Sequence, residues 1–386
     1  IMKYDADIKA IHYSTGEPVR VRIAEGLIYS IESLKKASDT GGKYIAPGLI
    51  DNQVNGFKGV DFSWPSLSPD MMVRAVKALN GEGITSFFPT VITNSHENLL
   101  KIFSNLRESL EEDEVKSSVP GFHLEGPYIS PEEGFYGCHH PGFIRKPSWD
   151  EFSMYQEKAG GHIRQVTLSP EVDGSIEFIR KCTLNNVVVA IGHTNASAND
   201  IRMAVDAGAR VSTHLGNGCA NMIHRHNNPI WPQLANDHLT PSVIADGHHL
   251  LPEEITVFRK VKGANRIILT SDVTHLSGLE PGKYTFFGSE VVMTGDGLIR
   301  NPVLDCLAGA SLPLRTGVEN MMKFTGCPPD EALNMASTNV AGLYGLTDRG
   351  VLETGKRADL IIFDMNVKDI SLRQVWVMGK KVLDRN

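Results

Sequence analysis

The 386-residue chain lacks several features that would assign it to a specialised class of protein. It has no apolar run approaching the roughly 20 residues that a membrane-spanning helix needs. Residues 1–7 carry no apolar segment of the kind that a signal peptide requires. The five cysteines are odd in number and include no Cys-x-x-Cys pair, which favours a reducing compartment over a disulfide framework. We therefore expect a cytoplasmic protein without a membrane span.

Positive charge is also scarce, since 38 lysines and arginines face 45 acidic residues and the formal net charge is −7. This balance argues against nucleic acid or an anionic membrane as the main partner. It leaves room for an anionic small molecule, because the local field of a binding site can oppose the net charge. Hydrophobic residues make up 41% of the chain, as in an ordinary globular protein. The length allows one large domain and one small domain.

Both ends of the chain show the two-residue alternation that is typical of half-buried strands. The pattern occurs at residues 19–23 and 27–31 near the start, and at residues 359–364 and 375–382 near the end. The sequence therefore predicts a small β-sandwich domain assembled from both termini. We place this domain at residues 1–46 and 350–386, on either side of a large domain at residues 47–349.

Within the large domain, strand and helix patterns alternate. Short apolar runs, typical of strands buried on both faces, are predicted at residues 84–92, 121–125, 165–169, 187–191, 210–214, 242–246 and 266–272. Helical patterns separate many of them, and Ser68 and Ser95 stand where the N-caps of two such helices are expected. So many alternations favour a closed (β/α)8 barrel of the TIM type, an α/β fold, with an open doubly wound sheet as the alternative.

Polar residues stand at the carboxyl ends of four predicted strands, namely Glu125, His193, His214 and Asp272. In a barrel these ends meet at one face, where active sites are built. One carboxylate and two imidazoles can supply the three protein ligands of a catalytic zinc and leave a position for water. Each residue alone is equally typical of an ion pair, a helix cap or a hydrogen-bonded structural side chain. From these residues by themselves, a metal site and purely structural roles are equally supported.

A set of motifs adds to this pattern, at residues 46–51, 123–127, 192–196, 213–217, 246–249 and 271–272. In this order they resemble the motifs of the amidohydrolase superfamily and, within it, those of the N-acetylglucosamine-6-phosphate deacetylases. The resemblance covers essentially the whole chain, and the His-Leu-Glu-Gly-Pro run at residues 123–127 is its most specific part. It implies hydrolysis of N-acetylglucosamine-6-phosphate to glucosamine-6-phosphate and acetate by a homodimer. It also implies one divalent metal ion, which we expect to be zinc.

The resemblance implies roles for individual residues. Glu125, His193 and His214 would hold the metal, and Asp272 would act first as general base and then as general acid. His139 would take part in catalysis and in substrate binding, and His249 would contact the substrate. Their neighbours, His140 and His248, are alternatives for these two roles. The other implied substrate contacts are Asn217, Gly218, Leu307 and Ala308.

One stretch departs from a pattern that is common in the superfamily. Many members carry His-x-His after the first barrel strand and bind two metals, whereas this chain has Gln53 and Asn55 there. Neutral amides are poor zinc ligands compared with imidazole or carboxylate, so we predict a single metal. The two amides either hydrogen-bond the substrate or form a turn before Gly56.

A second departure lies at residues 216–231. Deacetylases of 6-phosphosugars usually have a Gly-Arg-Glu-Pro-Gly segment there, and its arginine helps to clamp phosphate across a dimer interface. Arg225 either replaces that arginine, because a guanidinium pairs with phosphate through two hydrogen bonds, or is a solvated loop residue. In the second case Trp231 would offer an apolar face to a sugar without phosphate.

Three further hypotheses stay open beside the deacetylase of N-acetylglucosamine-6-phosphate. The protein could deacetylate another N-acetylhexosamine, phosphorylated elsewhere or not at all. A cyclic-amide hydrolase similar to dihydroorotase is disfavoured, because such enzymes usually need the His-x-His pair and a carboxylated lysine. A non-catalytic metal-binding or sugar-binding relative is disfavoured by Asp272, for which a binding module has no evident need.

Overall fold

The computed structural model describes residues 4–286 and 289–385. Within these ranges the strands are, in chain order, β1 (Ala6–His12), β2 (Pro18–Ala24), β3 (Leu27–Ser33), β4 (Tyr44–Pro47), β5 (Leu49–Val54), β6 (Gly56–Phe57), β7 (Val60–Asp61), β8 (Ile84–Ile92), β9 (Phe122–Glu125), β10 (Ile163–Leu168), β11 (Val188–Ile191), β12 (Val211–Ser212), β13 (Thr240–Ile244), β14 (Ile268–Thr270), β15 (Gly282–Phe286), β16 (Ser289–Met293), β17 (Ile299–Asn301), β18 (Cys306–Leu307), β19 (Leu360–Asn366), β20 (Asp369–Val377) and β21 (Lys380–Asp384). The α-helices are α1 (Pro69–Asn80), α2 (His96–Ser109), α3 (Asp113–Ser118), α4 (Trp149–Lys158), α5 (Ser175–Leu184), α6 (Ala198–Ala207), α7 (Ile230–Ala235), α8 (Pro252–Lys262), α9 (Leu314–Thr325), α10 (Pro329–Met335) and α11 (Thr338–Tyr344). Short 3₁₀ helices lie at Ala37–Thr40, Pro141–Phe143 and Ala264–Arg266.

Eight parallel strands form the large domain, in the spatial order β5, β8, β9, β10, β11, β12, β13 and β14. The two ends of this sheet meet, since Val54 and Val273 form a parallel bridge. The Asp272 N–H donates to the Gln53 carbonyl oxygen at 3.1 Å and adds a second link. The predicted closed barrel is therefore confirmed, because an open doubly wound sheet would leave its first and last strands apart.

The helices and strands form where local sequence favours them. Every residue of β8 is buried, as its mainly apolar and β-branched composition predicts. The hydroxyl of Ser68 accepts the Met71 N–H at the start of α1, and that of Ser95 accepts the Asn98 N–H at the start of α2. Both predicted N-caps are thus confirmed, and each satisfies a backbone donor that the helix itself leaves unpaired.

Two of the predicted barrel strands are shorter than their apolar runs suggested. Strand β12 ends at Ser212 and β14 ends at Thr270, whereas the patterns extended to His214 and Asp272. The reason is the backbone, because His214 and Asp272 adopt positive φ angles of 30° and 54°. A residue in that region cannot continue a strand, so both side chains lie just beyond the sheet.

A second sheet contains strands from both termini, in the order β21, β20, β19, β4, β1, β2 and β3. Its neighbours run antiparallel except for β1 and β4. The sheet folds back on itself, since Leu27, the first residue of β3, pairs with Arg357, which precedes β19. The small β domain predicted from both termini is confirmed. One continuous sheet folds over its hydrophobic core, as the two sheets of a sandwich would. Its boundaries near residues 46 and 350 stay a prediction.

A four-stranded antiparallel sheet, β15 to β18, follows the last barrel strand and was not predicted from the sequence. Its final strand leads into the loop at residues 307–309, which faces the carboxyl ends of the barrel strands. The long segment between β9 and α4 lies against the same face. None of the helices described here is long and apolar enough to cross a membrane.

Candidate active site

Three buried side chains meet at the carboxyl ends of three barrel strands. Glu125 is the last residue of β9, and His193 and His214 follow β11 and β12. The Glu125 Oε1 atom lies 3.1 Å from His214 Nε2 and 3.5 Å from His193 Nε2. One ligand atom from each residue lies within 4.8 Å of the others. The three residues proposed as metal ligands are therefore brought together.

The surroundings of the triad fit a divalent metal. The Nδ1–H of His193 donates to the Phe135 carbonyl oxygen at 3.0 Å, and this contact turns its Nε2 atom toward Glu125. Such a backbone partner commonly orients a metal-binding histidine. Burial by itself would raise the pKa of Glu125, but hydrogen bonds and charge from His193 and His214 hold it well below its ordinary value. A carboxylate kept ionised beside two imidazoles is a suitable donor set for zinc or a similar cation.

Asp272 lies beside the triad and is held by two amides. Its Oδ1 atom accepts hydrogen bonds from Gln53 Nε2 at 2.9 Å and from Asn55 Nδ2 at 2.7 Å. Burial, followed by the charge of Glu125, raises the pKa of Asp272 to about 6. A carboxyl group with such a pKa can accept a proton and release it again near neutral pH.

Gln53 joins the two carboxylates of the site. Its Nε2 atom donates to Glu125 Oε1 and to Asp272 Oδ1, each at 2.9 Å. Both hydrogens of this amide are thus used by carboxylates, and Gln53 acts as a hydrogen-bond donor to the site. Gln53 belongs to strand β5 and not to a turn, so turn formation does not explain it.

Two further histidines face the site from different loops. The His139 Nδ1 atom lies 2.8 Å from Thr93 Oγ1, and its ring packs edge-on against His193 with centroids 4.4 Å apart. Burial, followed by the charge of His193, lowers the pKa of His139 to about 3, so its ring is neutral. His249 is oriented by Asp246, whose Oδ2 atom lies 2.8 Å from His249 Nδ1.

The alternatives to these two histidines point elsewhere. His140 is exposed, and its Nδ1 accepts the N–H of Gly142. The His248 Nε2 atom contacts the carbonyl oxygen of Asp296 at 3.0 Å. Among the described residues that line the cavity, His139 and His249 are present and their two neighbours are not.

The carboxyl ends of the barrel strands open into a cavity of about 540 Å³. The residues predicted from the sequence that line it are Asn55, Glu125, His139, His193, His214, Asn217, Gly218, His249, Asp272 and Leu307. Three other predicted residues do not line it. Gln53 is fully buried beneath the cavity and Ala308 is buried beside it, whereas Arg225 lies on an exposed loop.

The charge of the cavity wall is mainly negative. Asp61, Glu133 and Asp305 line it in addition to Glu125 and Asp272. No lysine or arginine occurs among its described lining residues. Trp231, considered above as a platform for a sugar ring, is also absent from the wall and donates its indole N–H to the Arg225 carbonyl oxygen at 3.0 Å.

Backbone conformation marks the site as well. His193, His214 and Asp272 have φ angles of 51°, 30° and 54°. Positive φ is uncommon for residues other than glycine, and it tends to cluster at functional sites. In each case the left-handed residue directs its side chain from the strand end toward the cavity.

Sequence reasoning missed several residues that support the site. Thr93 and Asp246, which contact the two cavity-facing histidines, were not singled out. Asp246 begins the Asp-Gly-His-His motif at residues 246–249, and that motif was the only signal available for it. Asp61 and the pair Cys138 and Cys306 line the cavity without any local pattern that would have indicated it.

The family of the chain follows from comparison with known proteins. A model of the amidohydrolase family matches residues 44–382. The chain belongs to the amidohydrolase family. The match covers the barrel strands and nearly all of the C-terminal strands of the terminal β sheet.

Two curated relatives in this family are similar to the chain over most of its length. The N-acetylglucosamine-6-phosphate deacetylase of Bacillus subtilis is 35% identical over 325 residues, which cover 82% of this chain and 80% of the relative. The N-acetylgalactosamine-6-phosphate deacetylase of Escherichia coli O157:H7 is 31% identical over 363 residues, which cover 94% of each protein.

Solved structures agree with these relatives. The N-acetylglucosamine-6-phosphate deacetylase of Thermotoga maritima superimposes with a TM-score of 0.86 at 29% identity, covering 98% of this chain and 99% of that one. A mutant of the Mycobacterium smegmatis enzyme in complex with N-acetyl-D-glucosamine-6-phosphate gives a TM-score of 0.87 at 26% identity, covering 98% and 100%. The similarity thus includes the barrel and the terminal sheet.

Proposed function

We propose that this protein is a metal-dependent deacetylase that hydrolyses N-acetylglucosamine-6-phosphate to glucosamine-6-phosphate and acetate. The observation that carries the proposal is Asp272, whose buried carboxylate lies beside the three proposed metal ligands in one cavity. The similarity to deacetylases of amino-sugar phosphates over most of the chain supports the choice of substrate.

Glu125, His193 and His214 would hold a single divalent metal, and we propose zinc. When bound, such a metal lowers the pKa of water and polarises the amide carbonyl group. Gln53 and Asn55 keep Asp272 directed at the triad, so its carboxylate can take the proton of the attacking water. Asp272 then returns this proton to the sugar nitrogen, and the C–N bond breaks with an amine as leaving group.

His139 and His249 would bind and orient the substrate. Both rings face the cavity, and each has one nitrogen engaged by a partner, Thr93 or Asp246. The other nitrogen of each ring is thereby aimed at the cavity, where it can hydrogen-bond the acetyl oxygen or a sugar hydroxyl. Asn217, Gly218 and Leu307 complete the wall beside them, and Ala308 supports it from behind.

The 6-phosphate poses a specific problem, because the cavity wall of one chain has acidic residues but no described lysine or arginine. A phosphate group is usually bound by arginine or lysine. We therefore propose that the protein acts as a homodimer and that Arg225 of a second copy reaches the phosphate. The exposed position of Arg225, outside its own cavity, supports this arrangement.

Two alternative substrates are favoured by particular observations. The similarity to an N-acetylgalactosamine-6-phosphate deacetylase favours that sugar phosphate as the substrate. It differs from N-acetylglucosamine-6-phosphate in the configuration of one hydroxyl group. The absence of lysine and arginine from the described wall favours a sugar without phosphate. We also propose a cytoplasmic location, which the five free cysteines support.

The decisive experiment measures acetate release by the purified, zinc-loaded protein from N-acetylglucosamine-6-phosphate, N-acetylgalactosamine-6-phosphate and N-acetylglucosamine. We expect kcat/KM for the first sugar to exceed the others by more than about tenfold, or about 1.4 kcal/mol. Protein treated with a chelator serves as the control and should release no acetate. A preference for another sugar would keep the chemistry and change the substrate, and no acetate from any of them would refute the deacetylase.

A further inference from the structure

Two cysteine side chains meet in the wall of the cavity. The Sγ atoms of Cys138 and Cys306 lie 3.0 Å apart, and Cys138 Sγ also lies 3.4 Å from the Leu307 carbonyl oxygen. Both side chains are partly exposed and both line the cavity. A disulfide bond has a length of about 2.05 Å, so the two sulfur atoms need to approach by only about 1 Å to form one.

The other cysteines have no comparable arrangement. Cys182 and Cys327 are buried in the hydrophobic core. The Sγ of Cys219 has the Gly216 carbonyl oxygen as its partner, at 3.7 Å. Cys138 and Cys306 are therefore brought together by the fold, since they are 168 positions apart in the chain.

We propose that Cys138 and Cys306 form an oxidisable dithiol site, which a small-molecule disulfide converts into an intramolecular disulfide bond. The site has the two features that such a reaction needs, namely access for the small molecule through the cavity and a second thiol within reach of the first. It is separate from the metal triad and from the residues assigned above to catalysis.

The reaction takes place in two exchanges that balance in atoms and electrons. The thiolate of Cys306 attacks one sulfur of the small disulfide, forms a mixed disulfide and releases one small thiolate. Cys138 then loses its proton and attacks Cys306 Sγ, which releases the second small thiol. The two protein thiols are oxidised, the small disulfide is reduced, and the two protons end on the released thiols.

The contact between the two sulfurs assigns their roles. The S–H of Cys138 faces the Leu307 carbonyl oxygen, which favours its protonated form. In agreement, the contact between the two thiols lowers the pKa of Cys306, and the same contact followed by burial raises the pKa of Cys138. A thiolate is the attacking species in disulfide exchange. Cys306 is thus the first nucleophile, and Cys138 is the thiol that resolves the mixed disulfide.

The bond would tie together two walls of the active-site cavity. Cys138 directly precedes His139, whose ring packs against His193, and Cys306 directly precedes Leu307. Closing the gap between the sulfurs pulls on the segment that carries His139. We therefore expect the oxidised protein to release acetate several-fold more slowly. This effect on activity rests on the proposed deacetylase function, but the formation of the disulfide bond does not.

The test exposes the metal-loaded protein to oxidised glutathione and measures three quantities. We expect the intact mass to fall by two hydrogen atoms, the free thiols to fall from five to three, and a proteolytic peptide to link Cys138 to Cys306. Dithiothreitol should reverse all three changes and restore acetate release. Five remaining free thiols, or a bond between other cysteines, would overturn the proposal whatever the catalytic activity.

Matched variants separate the pair from the other cysteines. Cys138→Ser should stop at a stable mixed disulfide with glutathione on Cys306, and Cys306→Ser should form no internal bond. Cys182→Ser and Cys327→Ser should respond like the unchanged protein. Differential alkylation of the unchanged protein identifies the oxidised cysteines directly, so the proposal stays testable if a variant fails to fold. An internal bond in Cys306→Ser would contradict it.

Discussion

At the scale of single residues, amide and carboxylate side chains hold the groups that we propose as catalytic. Two buried carboxylates as close as Glu125 and Asp272 repel each other, and this repulsion contributes to the raised pKa of Asp272. The Nε2 group of Gln53 offsets the repulsion because it donates to both. The Gln53 amide therefore suits the proposed site with one metal, in which Asp272 is not a metal ligand and can exchange a proton.

The role of Asp272 leads to the first prediction. Asp272→Asn keeps the size of the side chain but removes the group that accepts a proton. We expect acetate release to fall by a factor on the order of 100 to 10,000, the range that general acid–base catalysis contributes. Metal content, measured on the same preparation, should be unchanged, because Asp272 is outside the triad. The control is Asp206→Asn, at an exposed position on α6. Near-normal turnover in Asp272→Asn would remove Asp272 from the mechanism.

Asp246 leads to a second prediction, since it is a positioning residue for His249. Its Oδ2 atom contacts His249 Nδ1 and its Oδ1 atom accepts the backbone N–H groups of His248 and His249. Asp246→Asn weakens the contact with the ring, so we expect kcat/KM to fall by about 1.5–3 kcal/mol, on the order of tenfold to a hundredfold.

A double-mutant cycle distinguishes positioning from a general structural role. If Asp246 acts through His249, the double variant Asp246→Asn, His249→Ala should be no less active than His249→Ala alone. Additive losses of kcat/KM would show that Asp246 acts independently of the ring.

At the scale of elements, the strand ends position side chains at the cavity, and the helix caps fix the residues at which helices begin. The strands stop where a residue enters the left-handed region, and this places His193, His214 and Asp272 at the cavity. The helices that follow must then begin at defined residues. Helix α6 does so through a capping box, in which Ser197 Oγ accepts the Asp200 N–H while the Asp200 carboxylate accepts the Ser197 N–H.

The capping box supports a third prediction. Ser197 is exposed, so its replacement by alanine removes the cap without leaving a cavity. We expect Ser197→Ala to lower the free energy of unfolding by about 1 kcal/mol, measured as a shift of the urea midpoint. Ser197→Thr keeps a side-chain oxygen and is the matched control. Equal midpoints for the two variants would show that the cap contributes little here.

At the scale of the whole molecule, one hydrophobic core connects the two sheets. Ile361, Phe363 and Leu372 of the terminal sheet belong to the same buried cluster as the barrel helices and strands. The guanidinium of Arg357 donates to the Ser117 carbonyl oxygen at 2.7 Å and adds a polar link between them. The two chain ends are thus part of the structure that supports the barrel.

Metal binding gives a fourth prediction at this scale. The three proposed ligands lie at or just after the ends of three different strands and are together only in the folded protein. A metal at 100 times its Kd then stabilises the fold by about 2.7 kcal/mol, so a chelator should lower the melting temperature. In Glu125→Gln, which lacks the carboxylate ligand, the chelator should have little effect. Identical melting of the unchanged protein with and without chelator would contradict the proposed site.

The proposed dimer gives a fifth prediction. Arg225→Ala should lower kcat/KM for N-acetylglucosamine-6-phosphate by about 1.5–3 kcal/mol and leave the unphosphorylated sugar unaffected. Arg180→Ala, an exposed arginine on α5, is the matched control. Mixing Arg225→Ala with an Asp272→Asn variant should restore some activity, because one mixed site then has both intact residues. Equal losses for both sugars would argue against a phosphate contact.

Much of this protein could be predicted from local sequence. Alternation with a period of two identified the terminal strands, continuous apolar runs identified the barrel strands, and Ser68 and Ser95 marked two helix starts. These features depend on interactions between residues that are close in the chain. The positions of Glu125, His193 and His214 followed from the parallel strand order, because all such strands end at one face.

Only the tertiary structure decided which distant residues meet. Closure of the barrel brings Gln53 on the first strand next to Asp272 after the last, and loop packing brings Cys138 to Cys306. It also leaves Arg225 outside the cavity of its own chain. Such contacts depend on the packing of segments that are far apart in the chain, so no local pattern of residue types records them. The sequence by itself determined most barrel strands, several helices and the side chains proposed to bind a metal, and the tertiary structure decided which distant residues contact those side chains.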